Sequence, residues 1–145
     1  MTENEMELFH SSLERCLGEG GFVERFYEIL REISPEIARK FEETDFTVQK
    51  RKLTASLYMT MLLDDHSPES VVHFERIAQL HSRSALDIRP ELYEGWVESL
   101  IAAAREFDRF FDEETEQAWR HLLEPAVEFM KARYERPAGP TEDDL

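Results

Sequence analysis

Apolar residues recur along this chain at intervals of three and four, and no stretch alternates with a period of two. Phe22, Phe26, Ile29, Leu30 and Ile33 mark one such stripe, and Leu53, Leu57 and Met61 mark another. That period places side chains on one face of an α-helix and excludes a half-buried strand. Punctuation follows the same logic. Gly18, Gly20 and Gly21 end a first helix over Met6 to Leu17. Ser34–Pro35–Glu36 and Ser67–Pro68–Glu69 each read as a helix start, with serine as cap and proline at the first helical position. The first of these opens a brief helix to about Phe41, and the second opens one carrying Val72, Ile77, Leu80 and His81. Between them lies a helix to about Leu63, with Asp45 or Thr47 as its cap. After a break near Ile88, Pro90 is expected to open a long helix with Leu92, Tyr93, Trp96, Val97, Leu100 and Ile101 on its apolar side. Phe107, Phe110 and Phe111 are expected to form a hydrophobic corner. Acidic residues from Asp112 to Glu116 suit the start of a last helix, because carboxylates complement the amino-terminal end of the dipole. That helix is expected to reach about Tyr134, with a kink at Pro125. The expected fold is all-α, with about six main helices plus a short connecting one. It forms one domain over residues 1–136, and residues 137–145 form an acidic, loose tail.

Charge narrows the function. There are 32 acidic against 17 basic residues, a formal charge of −15. Phosphate backbones and anionic membrane surfaces both need the opposite sign, so neither nucleic acid nor membrane is an expected partner. The 145 residues suit one core. Cys16 is the sole cysteine, so neither an internal disulfide nor a thiolate metal cluster is possible. No run approaches 18 apolar residues, and the amino terminus lacks a basic stretch followed by an apolar one. The expectation is a cytoplasmic protein.

His81 is the residue with the most chemical promise. It follows Leu80 and lies one helical turn from Ile77. A neutral imidazole among apolar neighbours suits a metal ion, and equally suits a half-buried histidine with no ligand. Tyr27 follows Phe26 on a strongly apolar helix and is a candidate hydrogen-bond donor, or simply a core aromatic. Gln49 sits one turn before Leu53 and is a second candidate donor, or a solvated residue near a helix start. Phe41 and Phe46 flank a polar turn and suit packing on a flat ring or beneath a loop. Lys50, Arg51 and Lys52, with Arg39, form a basic patch that fits anionic groups of a cofactor or the glutamates nearby. Other signals are weak. Glu69 to His73 is one residue longer than the Glu-x-x-His spacing of di-iron bundles. His66, His73 and His121 lie in no arrangement that singles out zinc. Gly18–Glu19–Gly20–Gly21 follows a helix, so it is no phosphate loop.

Taken in order, these pieces resemble the globin family, and within it bacterial single-domain globins and the globin domain of flavohaemoglobins. The resemblance runs from about Leu13 to Tyr134. FYEILREISPEIARKF, from Phe26 to Phe41, looks like the second and third helices of the family, ending in the phenylalanine that stacks on haem. QKRKL, from Gln49 to Leu53, looks like the distal helix. LHSRSALDIRPELY, from Leu80 to Tyr93, looks like the proximal helix and its exit. Gln49 and His81 stand 32 residues apart, as in flavohaemoglobin globin domains.

The resemblance implies non-covalent haem b with His81 as the iron ligand. It implies Phe41 and Phe46 against the porphyrin and Lys52 toward its propionates. Leu53, Leu57, Ile77, Val97, Leu100, Val127 and Met130 are the implied pocket walls, and Tyr93 the residue that orients His81. Tyr27 and Gln49 are implied as the donors facing a bound gas. The implied function is reversible binding of dioxygen, or of nitric oxide or carbon monoxide. Three alternatives stand beside it: nitric oxide dioxygenation with an external reductase, gas sensing, and a haemless signalling or interaction role. The stretch from His81 to Pro90 is slightly longer than in flavohaemoglobins, and neither Glu128 nor Glu135 clearly matches their last-helix glutamate.

Overall fold

The computed structural model describes residues 2–18, 20–63 and 67–135. Among them are seven helices and no strand: α1 (Glu3–Gly18), α2 (Phe22–Ile33), α3 (Pro35–Lys40), α4 (Phe46–Leu63), α5 (Pro68–His81), α6 (Leu92–Phe107) and α7 (Glu113–Ala132). The domain edge at residue 136 and the acidic tail lie outside the described residues. No helix is long and apolar enough to cross a membrane among the described residues.

Helix ends follow local chemistry. Gly20 and Gly21 take left-handed φ values of 73° and 91°, and a Cβ on Gly21 would meet the Phe107 ring at 3.3 Å. The α1–α2 turn therefore needs glycine there. Ser34 caps α3 as expected, its hydroxyl accepting from the Ile37 amide at 3.2 Å, with Pro35 at the first position. Asp45 starts α4, its carboxylate accepting from the Thr47 amide at 3.0 Å. Asp112 caps α7 through the Thr115 amide at 2.8 Å.

Four expectations need correction. The Ser67 side chain caps nothing; its hydroxyl donates to Glu69 instead, at 2.7 Å. Pro90 sits in a turn closed by Leu92 N–H to Arg89 O, so α6 begins at Leu92. The last helix ends at Ala132 rather than near Tyr134, and Pro125 lies inside it. Phe107 and Phe111 pack on the core, but Phe110 is 59% exposed and is covered only by the guanidinium groups of Arg15 and Arg109. Its amide is drawn to the Asp108 carboxylate, which turns the chain before the ring can reach inward.

Two helix pairs build the frame. α2 crosses α6 and α1 lies along α7, while α4 and α5 pack on each other and on α7. The centre is aromatic. Trp119 is fully buried against Phe9 and Phe22, with ring centroids 4.8 and 6.1 Å apart, and its indole N–H donates to buried Ser12 at 2.9 Å. Such edge-on pairs add about 0.5–1.5 kcal/mol each beyond area burial. Asp108 is buried too. Desolvation pushes its carboxyl up, but hydrogen bonds from Arg15, Ser12 and the Phe110 amide outweigh that and hold it below the usual carboxylate value.

The buried apolar residues divide into two clusters. One spans α1, α2, α3, the middle of α4, α6 and α7; it includes Tyr27, Leu53, Leu57 and Leu100. The other joins Leu63 of α4 and Phe74 and Ala78 of α5 to Tyr93 of α6 and Val127 and Met130 of α7. Trp96 and Val97 touch both.

Candidate functional site

His81 is the last residue of α5, and Tyr93 lies in the first turn of α6. The Tyr93 hydroxyl lies 3.4 Å from His81 Nδ1. Tyr93 is 7% exposed, and burial pushes its phenol far above its ordinary value, so it stays neutral. Burial also drives the His81 imidazole down, from 6.5 to about 4, so it too is neutral at physiological pH. The second ring nitrogen, Nε2, has no hydrogen-bond partner among the described residues. The residue as a whole is only partly exposed. A neutral imidazole with Nδ1–H donated to a hydroxyl presents its Nε2 lone pair outward.

The loop after His81 fixes this helix end. Ile88 N–H donates to His81 O at 3.0 Å, and Leu86 N–H donates to Leu80 O at 2.9 Å. Asp87 holds a positive φ of 54°, and its carboxylate accepts from the Tyr134 hydroxyl. From α3, Lys40 Nζ donates to Leu86 O at 3.0 Å, and Glu36 takes the Arg89 guanidinium through two hydrogen bonds of 3.0 and 2.6 Å.

A second set of candidate donors sits where α2, α3 and α4 converge. Tyr27 is 3% exposed, and burial pushes its phenol up to about 12, a rise partly offset by a hydrogen bond with the Gln49 side chain. Its ring packs on Phe41 and Phe46, both at 5.4 Å between centroids, and those two rings lie 5.8 Å apart. The fold therefore brings Tyr27, Gln49, Phe41 and Phe46 together from three helices. Leu53, Leu57 and Leu100 are buried in the same cluster. Tyr93, Val127 and Met130 are buried in the other, with Ile77 packed against it and Val97 against both.

Other candidate residues lie at the surface. Lys52 is exposed and has no ion-pair partner among the described residues, whereas Lys50 pairs with Glu24 at 2.7 Å. Glu135 pairs with Arg83 on the surface at 3.3 Å, and exposed Glu128 lies 4.0 Å from Lys131. Neither is placed against His81. Tyr93, Val97 and Val127 also floor an open groove of about 320 Å³ between α6 and α7, rimmed by Glu94, Glu98, Glu124, Arg120 and Lys131. His66 lies outside the described residues. No group of three or more His, Cys, Asp or Glu side chains is placed to hold a metal ion among the described residues.

Sequence reasoning missed two contributors. Arg31 lies over the Phe46 ring, 4.7 Å from its centroid, and its Nε donates to Tyr27 O at 3.2 Å. An arginine one turn after Tyr27 on α2 is the local sign that was available. Asp87 and Tyr134 are 47 residues apart, and no local pattern joins them.

Among solved structures, the chain matches the crystal structure of PA3967 from Pseudomonas aeruginosa PAO1, described as structurally highly homologous to a human hemoglobin. The TM-score is 0.83, with 36% identity over 91% of this chain and 99% of that one. The chain belongs to this globin-like family. No protein-family model and no curated protein matches it.

Proposed function

We propose that this globin-like chain holds haem b non-covalently through His81 and binds a diatomic gas, dioxygen first, reversibly. The observation that carries the reading is the pair of donor sets. One neutral imidazole, beside Tyr93, stands at the end of α5, and one neutral phenol, paired with Gln49, stands between α2 and α4. That chemistry fits the group. A single protein nitrogen suffices where a porphyrin supplies the other four, so a multi-residue metal cluster is not required.

When bound, haem would be held by His81 and would supply an iron able to bind a diatomic gas. The chain's own residues do the rest. Tyr93 stands beside the His81 ring, its hydroxyl 3.4 Å from Nδ1; where Nδ1 carries the proton and the hydroxyl accepts it, Nε2 is left with its lone pair free. Phe41 and Phe46 offer flat apolar faces, and Leu53, Leu57 and Ile77 would serve as apolar walls for the group. The Tyr27 hydroxyl and the Gln49 amide donate toward a ligand that carries partial negative charge, and each such bond is worth about 1–3 kcal/mol. The family likeness to a protein described as homologous to a hemoglobin supports the same reading.

Visible spectra test it. The chain, expressed with ample haem supply, is expected to show a Soret band that shifts between ferric, reduced and carbon monoxide-treated samples. His81→Ala is expected to weaken or abolish it. A folded chain that takes up no stoichiometric haem would overturn the proposal.

A further inference from the structure

We propose that Arg31 is a positioning residue for the Tyr27–Gln49 pair: it clamps the first turn of α4 onto α2, so that Gln49 meets the Tyr27 hydroxyl. Its functional meaning rests on the reading of that pair as gas-facing donors.

Arg31, like Arg39, Arg51, Arg76 and Arg109, stands outside the ion pairs of the described residues, and among these five it lies on a ring of another helix. Arg15, Arg25, Arg83, Arg89, Arg105, Arg120 and Arg133 all take carboxylates. Arg31 takes none among the described residues, although acidic residues outnumber basic ones 32 to 17. Its guanidinium lies on the Phe46 ring and its Nε donates to the backbone carbonyl of Tyr27. One side chain thus links α2, through the Tyr27 carbonyl, to Phe46, which lies one turn before Gln49 on α4.

That turn has few other anchors. α4 buries its apolar face only from Leu53 onward, and Thr47 and Val48 in its first turn are exposed. Asp45 caps the helix from within its own segment. The remaining polar tie to α2 is the Lys50–Glu24 pair, which is over a third exposed on each side and easily screened. Phe46 is therefore the apolar foot of the first turn, packed between Tyr27 and Phe41, and Arg31 covers its outer face. Arginine suits the task better than lysine, because a planar guanidinium can stack on a ring while donating in its own plane.

The test compares the full-length chain with Arg31→Gln, Arg31→Lys and Arg133→Gln. The last removes a like contact on Phe129, at the far end of the fold. Hydrogen exchange is read at the backbone amides of Gln49 to Lys52, at the Gln49 side-chain amide, and at Leu57 as an inner reference. The expected result is roughly tenfold faster exchange at both Gln49 sites in Arg31→Gln, with Leu57 unchanged, partial rescue in Arg31→Lys and no effect of Arg133→Gln. Unchanged Gln49 rates, acceleration that includes Leu57 equally, or the same pattern in Arg133→Gln would each overturn the inference. In haem-loaded protein, the stretching frequency of bound carbon monoxide is expected to move in Arg31→Gln toward that of Tyr27→Phe; a wild-type frequency refutes the positioning role. Failure to load haem sinks the proposed function, and the exchange rates then decide the clamp by themselves.

Discussion

Acidifying the haem-free chain should expose His81 as a source of stability, and His81→Phe should erase that part. The folded imidazole resists protonation down to about 4, whereas the unfolded chain takes the proton near 6.5. Because burial depresses the folded value, the contribution is whole above pH 6.5 and is lost as pH falls through that window. One pH unit is worth about 1.4 kcal/mol, so the window caps the loss at about 3 kcal/mol. The residue keeps some contact with solvent, which relaxes around the charge and reduces the loss to about 1–2 kcal/mol by pH 4.5. Phenylalanine fills a similar volume without titrating, at the loss of the bond to Tyr93. Urea unfolding, followed by circular dichroism at pH 7, 6, 5 and 4.5, gives the wild-type minus variant difference. Carboxylates and His73 titrate in both chains and cancel. The difference should shrink by about 1–2 kcal/mol from pH 7 to 4.5. A difference that stays flat would refute the claim that His81 is neutral and desolvated in the fold, and with it the basis for treating it as a ligand.

Replacing Tyr27 with phenylalanine in haem-loaded protein should speed gas release about 5–150-fold, the kinetic equivalent of losing a donor worth about 1–3 kcal/mol; flash photolysis or stopped-flow mixing measures it, and an unchanged rate removes Tyr27 from that role. Arg15→Met should lower stability by about 2–3 kcal/mol at neutral pH, below the usual loss for a broken buried pair because Arg15 is about a third exposed. With the arginine gone, desolvation governs Asp108, so the deficit should narrow on acidification; a pH-independent deficit in urea midpoints counts against this. Ser12→Ala should destabilise the chain by about 1–3 kcal/mol, because the buried Trp119 indole N–H loses its acceptor; an unchanged thermal midpoint would mean that it finds another.

What the sequence made legible was whatever local chemistry decides. The three-and-four spacing on α2, the Ser34–Pro35 start of α3 and the acidic start of α7 depend on near neighbours in the chain, and each stands as read. The errors arise where a distant or competing partner overrides local preference. Ser67 has the residues of a cap but gives its hydroxyl to Glu69, and Phe110 has an apolar ring but turns outward with the Asp108 loop. The site divides in the same way. Tyr27, Gln49, His81 and Tyr93 were legible as candidates, and the fold pairs them two by two. Lys52 was read as a member of a basic cluster, but exposure leaves it without an ion-pair partner among the described residues, while its neighbour Lys50 takes Glu24. The clamp of Arg31 on Phe46 and the bond from Tyr134 to Asp87 were not legible, because each depends on how two separate segments meet.

The two donor pairs are held by different means, and the difference follows from where each sits. Tyr27 lies within a helix, so its backbone is already fixed, and aromatic packing is enough to aim its hydroxyl. His81 is the last residue of its helix, where carbonyls lack intrahelical partners and the chain tends to fray. Its orientation has to be imposed from outside. The loop from Ser82 to Glu91 does this by returning N–H groups to the carbonyls of Leu80, His81 and Ser82. That fold-back carries Asp87 into a positive φ, which aspartate tolerates better than most residues. Tyr134 holds the Asp87 side chain, and Arg83 N–H donates to Tyr134 O, so the end of α7 secures the loop. α3 secures its other edge through Glu36 and Lys40. No single tie among these is strong, since the ion pairs are partly exposed. Their shared effect is to remove alternative positions for His81.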